Sequence, residues 1–185
     1  MKPLSTSLLA LALTGFAWGA QAADYKCNPV SGTVLIASET TGCTIANPPH
    51  NQHFPSVIFL ATLGAAGTCF TGTFNGTWGA IPLTGASVSG LTLIANPPPS
   101  YSSNFVTAAT VLTLTRTDKN KPVGTLYFLD TIHFTDSSGG AEEQLVVIEG
   151  VKNGNPLAVK GSLGIVGNEF VPPGAPVNGT LCLPD

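Results

Sequence analysis

Residues 106–135 read VTAATVLTLTRTDKNKPVGTLYFLDTIHFT, two runs rich in Thr, Val, Leu and aromatic residues on either side of a short polar stretch. β-branched and aromatic side chains pack well on the pleated surface of a sheet, so residues 106–116 and 124–135 are predicted to be strands. Between them, residues 118–122 (DKNKP) are of types that tolerate turn backbone angles. This segment therefore predicts a β-hairpin.

The same pattern recurs along the chain, with Gly and Pro between the runs. No window of 11 residues after Ala23 keeps a helical period free of Gly, Pro and Thr. Further hairpin loops are predicted at 136–140 (DSSGG) and 153–156 (NGNP). We expect an all-β fold, an antiparallel barrel of about 8–10 strands, with a β-sandwich as the alternative. The nine predicted strands are 33–37, 56–63, 68–74, 87–95, 106–116, 124–135, 143–151, 158–166 and 178–183.

An internal repeat favours one closed sheet. VSGTVLIA at 30–37 matches VSGLTLIA at 88–95 at six of eight positions, and IANPP occurs at both 45–49 and 94–98. Duplication of a unit of strand, proline loop and strand explains the repeat, and coincidence in a Thr-, Ala-, Gly- and Pro-rich chain is the alternative. Pro-Pro segments cannot donate the hydrogen bonds of a ladder, so both are expected in loops at the rim.

The first 22 residues have the pattern of a secretory signal peptide. Lys2 is followed by an apolar run over residues 8–18 and by the small-residue cleavage site Ala20-Gln21-Ala22. The apolar run is shorter than the roughly 20 residues that cross a bilayer, so a membrane span is not expected. Removal of this segment leaves 163 residues, 23–185, a length that fits a single β-barrel domain. We expect a secreted protein, periplasmic or extracellular.

The mature chain contains four cysteines, Cys27, Cys43, Cys69 and Cys182. An even number in an exported chain favours disulfides over reactive thiols, and no pair has the C-x-x-C spacing of a redox or zinc site. Three connectivities are open. We favour Cys43 with Cys69 and Cys27 with Cys182, because the second pair would tie together the two ends of a closed sheet.

Charged residues are scarce and unevenly placed. Residues 40–115 contain no Asp, Glu, Lys or Arg, and the chain after residue 22 carries six basic and ten acidic residues without a basic stripe. Nucleic acid and anionic membranes are therefore poor partners. A neutral region of this length is more typical of a scaffold, an adhesive face or an apolar container than of an active centre, because most general acids, general bases and phosphate clamps are charged.

Four residues are candidates for the lining of a ligand pocket: His133, Glu149, Tyr127 and Arg116. Glu149 lies inside the apolar run 145–151, where it would face a cavity or pair with Arg116 or Lys160. His133 is predicted to point away from the face shared by Asp130 and Asp136, so these three cannot form a triad.

Neighbouring Glu142 and Glu143 are expected to point to opposite faces, as a charged strand start that protects an edge. His50 and His53 would hold copper or zinc only with a third ligand, and we expect no metal and no other cofactor. A G-x-S-x-G nucleophile and a phosphate-binding loop are absent from the sequence, so an enzyme is the less favoured class.

The C-terminal half resembles a known group of secreted barrels. The segments GTLYF at 124–128, KGSLG at 160–164 and NGTLCL at 178–183 follow one another as the strands do in proteins related to dirigent proteins and allene oxide cyclases. The resemblance covers residues 106–183 and rests on Gly-Thr and Gly-x-Leu spacing. It implies an eight-stranded barrel that holds or guides small apolar molecules and that assembles as a homo-oligomer. No pocket residue of that group is carried over to this chain.

Three functions therefore compete. We favour a non-enzymatic barrel that binds a small apolar ligand in an enclosed pocket. A structural or adhesive surface protein would instead have a filled core and would present the uncharged 40–115 region as its contact surface. An isomerase-like enzyme would place His133 or Glu149 in the pocket with a shifted pKa.

Overall fold

The computed structural model describes residues 25–40, 69–94, 104–135 and 140–184. Almost all of these residues are in strands and none is helical, so the predicted all-β fold is confirmed. No helix within these ranges is long and apolar enough to cross a membrane. The strands are β1 (Tyr25–Thr40), β2 (Cys69–Trp78), β3 (Ile81–Ile94), β4 (Asn104–Arg116), β5 (Lys121–Phe134), β6 (Gly140–Lys152), β7 (Asn155–Leu157), β8 (Lys160–Asn168) and β9 (Ala175–Pro184).

The strands form a closed antiparallel barrel. Each of β1 to β5 pairs with the strand that follows it in the chain, so the series ends with β5 beside β6. β6 then pairs with β8, and β8 pairs with β9. The last strand then pairs with the first, since β9 runs antiparallel to β1 from Tyr25↔Pro184 to Val34↔Ala175. Eight strands make up the ring, and the short β7 pairs only with the end of β6. The predicted barrel is confirmed over the alternative sandwich.

Short turns lie at one end of the barrel, which we call the turn end. They occupy residues 79–80, 117–120 and 153–154. Asn153 and Gly154 both have positive φ, 53° and 78°, the backbone that a two-residue hairpin loop requires and that Asn-Gly adopts readily. Two predicted loops are thus confirmed in place, although Lys121 and Pro122 already belong to β5 and residues 155–156 to β7. The loop predicted at 136–140 falls largely outside the described residues.

Strand bounds differ from the predicted ones where Gly and Pro occur. β1 begins at Tyr25 rather than at residue 33, and β3 begins at Ile81 rather than at residue 87. Pro29, Gly32, Pro82 and Gly85 lower strand propensity, but their neighbours in the sheet hold them in the ladder. The strand predicted at 56–63 lies outside the described residues.

The two copies of the repeated octapeptide lie on β1 and β3 but face opposite sides of the sheet. Ser31 is exposed and its hydroxyl lies 3.3 Å from that of Thr77, whereas Ser89 points inward and its hydroxyl lies 2.7 Å from that of Thr110. Because a shift of one residue exchanges the two faces of a strand, similar sequences here have different structural roles.

The half of the barrel nearer the turn end is filled by its own side chains. Leu114, Leu126 and Phe128 are at most 1% exposed. The Trp78 indole Nε1 donates a hydrogen bond to the carbonyl oxygen of Leu181, 2.7 Å away, which connects β2 to β9 inside the core. An eight-stranded barrel is just wide enough to be filled in this way.

A disulfide joins the first and last strands. Cys27 and Cys182 lie directly opposite each other on β1 and β9, with their Cα atoms 3.9 Å apart. The predicted pairing is confirmed. Cys69 is also disulfide-bonded, no cysteine in the described ranges is free, and Cys43 lies outside them.

Candidate binding site

Unfilled space remains at the end of the barrel opposite the turns, which we call the cavity end. Two adjoining cavities lie there, each with a volume of about 40 Å³. The first is lined mainly by apolar side chains, and both share Ile36, Ser89, Glu143 and Glu169. The apolar residues of the first are Ile36, Phe70, Ala108, Ile132, Phe134, Ala141 and Phe170.

A chain of hydrogen bonds ends on a buried carboxyl group beside these cavities. Asp130 lies on β5 between Phe128 and Ile132 and is 2% exposed. Its Oδ2 accepts a hydrogen bond from the Thr110 hydroxyl of β4 at 2.5 Å. Thr110 has a single hydroxyl hydrogen, so Ser89 of β3 must donate in the 2.7 Å contact between the two hydroxyls. The other oxygen, Oδ1, is buried without a hydrogen-bond partner among the described residues.

Two further carboxyl groups complete what we call the carboxyl cluster: Asp130, Glu143 and Glu169. Glu143 lies on β6, and Glu169 lies in the loop between β8 and β9. These two side chains share a hydrogen bond. The loop is held over the cavity end because the Ile36 amide donates to the Glu169 carbonyl oxygen at 2.8 Å and because the Phe170 ring meets the Phe70 ring edge-on, with centroids 5.7 Å apart.

All three acids have raised pKa values. Burial raises the pKa of Asp130 to about 8, against the lowering effect of the Thr110 hydrogen bond, and the charge of Glu169 raises it further. Burial likewise raises the pKa of Glu143 well above its usual range, and the charges of Asp130 and Glu169 add to the effect. Desolvation also raises the pKa of Glu169, which the hydrogen bond from Glu143 partly offsets. Burial and the neighbouring negative charges disfavour the charged form of each carboxyl group, and they outweigh the two hydrogen bonds that favour it.

The site combines apolar walls with convergent oxygen atoms. Protonated carboxyl groups donate hydrogen bonds, and ionised ones accept them. Among the residues that the structure describes, none that lines the two cavities is Lys, Arg or His. In the described part of the chain, no group of three or more His, Cys, Asp or Glu side chains is arranged to hold a metal ion. His50 and His53 lie outside the described residues.

The four residues predicted to line a pocket lie elsewhere. His133 is on the outer face of β5, where its Nδ1 is 3.9 Å from Glu142 Oε2. Tyr127 and Glu149 lie opposite each other on β5 and β6, and Tyr127 packs in an outer cluster with Cys69 and Ala109. Burial, followed by the charge of Glu149, raises the pKa of Tyr127.

Arg116, the fourth candidate, lies at the turn end. Its guanidinium Nη2 and Nε donate to Asp118 at 2.6 and 3.0 Å, which raises the pKa of Arg116 and lowers that of Asp118. None of the four side chains lines either interior cavity. That they contact a ligand stays a prediction.

Glu142 and Glu143 do point to opposite faces, as expected, but they do not protect an edge. β6 pairs with β5 on one side and with β8 on the other, so Glu143 faces the barrel interior. The alternation of side chains along a strand could have predicted that Asp130 and Glu143 point inward. If Leu126 and Phe128 face the core, Asp130 and Ile132 do too, and Glu143 shares the face of Ile132 because the two residues pair. No comparable pattern marked Glu169, which is not in a strand.

No protein-family model, no curated protein and no solved structure matches this chain. The resemblance to dirigent-related barrels therefore rests only on the residue spacing described above.

Proposed function

We propose that this protein binds a small, largely apolar molecule at the cavity end of its barrel. The observation that carries the proposal is the contrast between the filled half of the interior and the apolar cavities, which are lined by Glu143 and Glu169 and which Asp130 adjoins through Thr110. Apolar walls with a few converging polar groups of shifted pKa are the usual features of a small-molecule site. We infer an apolar ligand from the cavity walls, since seven of the ten residues lining the first cavity are apolar.

The size of the space limits the ligand. A volume of about 40 Å³ holds a few water-sized groups and not a whole drug-sized molecule. The narrow end of the ligand would enter the barrel, while the rest would contact Phe70, Phe134 and Phe170 near the rim. We also propose that this binding takes place outside the cytoplasm, which the Cys27–Cys182 disulfide and the pattern of residues 1–22 support.

Direct titration with short aliphatic alcohols, ketones and amines tests the proposal. We expect saturable binding with one molecule per barrel. The variant Ala108→Leu should weaken binding by about tenfold or more, because Ala108 is 1% exposed and lines the first cavity, which the larger side chain would fill. Ala86→Leu adds the same bulk at an exposed position of β3 and should leave binding unchanged. Ala108→Val is the milder variant should Ala108→Leu unfold.

The same experiment separates binding from catalysis. Glu143 in the cavity, with its raised pKa, is the observation that favours an acid–base enzyme as a second candidate. A bound compound recovered unchanged after prolonged incubation supports a binding protein, and a converted one supports the enzyme. Lack of saturable binding by every compound would eliminate both and favour the surface-protein alternative.

A further inference from the structure

We propose that the polar end of the ligand is a protonated amine, bound by the carboxyl cluster of Asp130, Glu143 and Glu169. The inference rests on the proposed binding function and specifies the chemical class of its ligand.

The sign of the charge favours a cation. Three acidic groups lie in and beside the cavities, and none of the described residues that line these cavities is basic. Like charges at short range repel one another strongly where the dielectric constant is low, and an opposite charge removes that repulsion. A cation gains most from such a site, whereas a ligand carboxylate would increase the repulsion.

A buried oxygen of Asp130 lacks a hydrogen-bond donor in the described part of the chain, which also favours an amine. Asp130 is 2% exposed, and its Oδ1 has no hydrogen-bond partner among the residues that the structure describes. Strand alternation directs this side chain inward with Ile132, which lines the first cavity. The charge of Asp130 raises the pKa of Glu143, so the orphaned oxygen belongs to the same cluster. Asp130 lies behind Thr110, which lines the second cavity. Buried polar atoms normally have partners, and an unpaired one beside a cavity favours a missing ligand group.

The hydrogen bonds that run from Ser89 through Thr110 to Asp130 point in the same direction. Ser89 donates to Thr110, and Thr110 donates to Asp130 Oδ2, so both hydroxyl groups are arranged to stabilise a carboxylate rather than a carboxylic acid. An ionised Asp130 presents Oδ1 as an acceptor that needs a donor. An ammonium group supplies three N–H donors, which suits a cavity lined by the Glu143 and Glu169 carboxyl groups with Asp130 behind Thr110.

The neighbouring surfaces decide between an amine and a metal ion. The described carboxyl groups are not arranged as a metal site, and hard cations such as Ca²⁺ prefer six to eight oxygen ligands. Apolar side chains surround the cluster, including Ile36, Phe70 and Phe134. They suit the hydrocarbon part of an alkylamine.

Calorimetric titration of the intact protein with hexylamine, hexan-1-ol, hexan-2-one and hexanoate tests the inference. At pH 7 we expect hexylamine to bind at least about tenfold more tightly than the other three, as for a hydrogen bond to a charged group. Hexylammonium would displace protons from Glu143 and Glu169, the titratable groups among the described residues that line the cavities, and from Asp130 beside them. Repeating the titration in buffers of different ionisation enthalpy should show release of about one proton with hexylamine and none with hexan-1-ol.

Variants assign the effect to the cluster. Asp130→Asn and Glu143→Gln should each weaken hexylamine binding by about tenfold or more and change hexan-1-ol binding by less than about twofold. Glu169→Gln, in the loop between β8 and β9, gives the same test without altering a barrel strand. Glu142→Gln is the matched control, since Glu142 adjoins Glu143 but faces outward.

The outcomes separate the two proposals. Tighter binding of hexylamine with proton release supports both. Equal or tighter binding of hexan-2-one or hexan-1-ol would overturn the amine and leave the binding function standing. Absence of binding by all four compounds would overturn both.

Discussion

Asp130 shows how a single residue can impose a condition on the whole barrel. Its carboxyl group is almost completely buried, only one of its two oxygens has a described partner, and Glu143 and Glu169 add negative charge nearby. Ionising Asp130 in the folded protein is costly because little water reaches it, and the half-buried Glu143 and Glu169 add to that cost by their negative charge. The folded barrel therefore holds its carboxyl protons more tightly than the unfolded chain does.

We expect the free energy of unfolding to fall as the pH rises from about 5 to about 8. The three acids have raised pKa values in the folded state, about 8 for Asp130, against values near 4 in an unfolded chain. Their protonation stabilises the fold fully below about pH 4, and this stability is lost as the pH passes through the folded pKa values. Urea unfolding over this range should show a decrease of at least about 1.4 kcal/mol, the equivalent of one pKa unit.

Substitution identifies the groups responsible. Asp130→Asn keeps an acceptor for Thr110 but cannot ionise, so its stability should depend less on pH over the same range. Glu142→Gln, at the neighbouring outward position, should retain the wild-type profile. A stability that stays level or increases between pH 5 and 8 would show that the cluster is better solvated than its burial indicates.

At the scale of the strand, close backbone contact shapes the interior. Gly32 and Gly76 face each other across β1 and β2, and the Phe74 ring lies over both. A Cβ atom at Gly76 would collide with the Ser31 carbonyl oxygen and would lie 2.7 Å from Phe74 Cζ. Glycine is thus required here by space, and the aromatic ring fills the volume that two side chains would otherwise occupy.

We expect Gly76→Ala to lower the free energy of unfolding by about 1–3 kcal/mol, because Phe74 or the β1 backbone must move. Gly164→Ala on β8 is the matched control. The atom nearest to a Cβ there is the Asn178 carbonyl oxygen at 3.7 Å, an ordinary contact. That control should change stability by less than about 1 kcal/mol in either direction. Urea denaturation of both variants measures the difference, and equal effects would contradict the steric explanation.

At the scale of the molecule, closure of the barrel depends on one pair of strands from the two ends of the described chain. β1 pairs with β9 over ten residue pairs, and Cys27–Cys182 joins them across a sequence separation of 155 residues. Bringing such distant segments together costs chain entropy, which a disulfide removes from the unfolded state.

Replacement of both Cys27 and Cys182 by Ala should lower the free energy of unfolding by about 3–5 kcal/mol, as chain entropy predicts for a loop of this length. Chemical denaturation of the double variant and of the wild type measures the change. A double variant as stable as the wild type would show that strand pairing alone holds the ends together.

The oxidation state can be checked separately. The intact wild-type mass should lie about 4 Da below that of the reduced chain, the mass of the four hydrogen atoms lost in forming two disulfides.

The amino-acid sequence by itself determined the fold class, the hairpin at 106–135 and the turn at Asn153 and Gly154, and it favoured the pairing of Cys27 with Cys182 among three open connectivities. These depend on local properties: the β-branched and aromatic content of each run, the residues that tolerate positive φ, and the few cysteines available. The longer bounds of β1 and β3 did not follow, because their Gly and Pro residues are kept in the ladder by neighbouring strands.

Only the tertiary structure decided which polar residues meet. Asp130 and Glu143 come together because β5 and β6 pair in a register that points both inward, and a shift of one residue would have brought His133 and Glu142 inside instead. Glu169 joins them from a loop whose position depends on contacts with β1 and with Phe70. His133 and Glu149 were predicted from their chemical types, whereas the direction of each side chain is a property of the closed sheet.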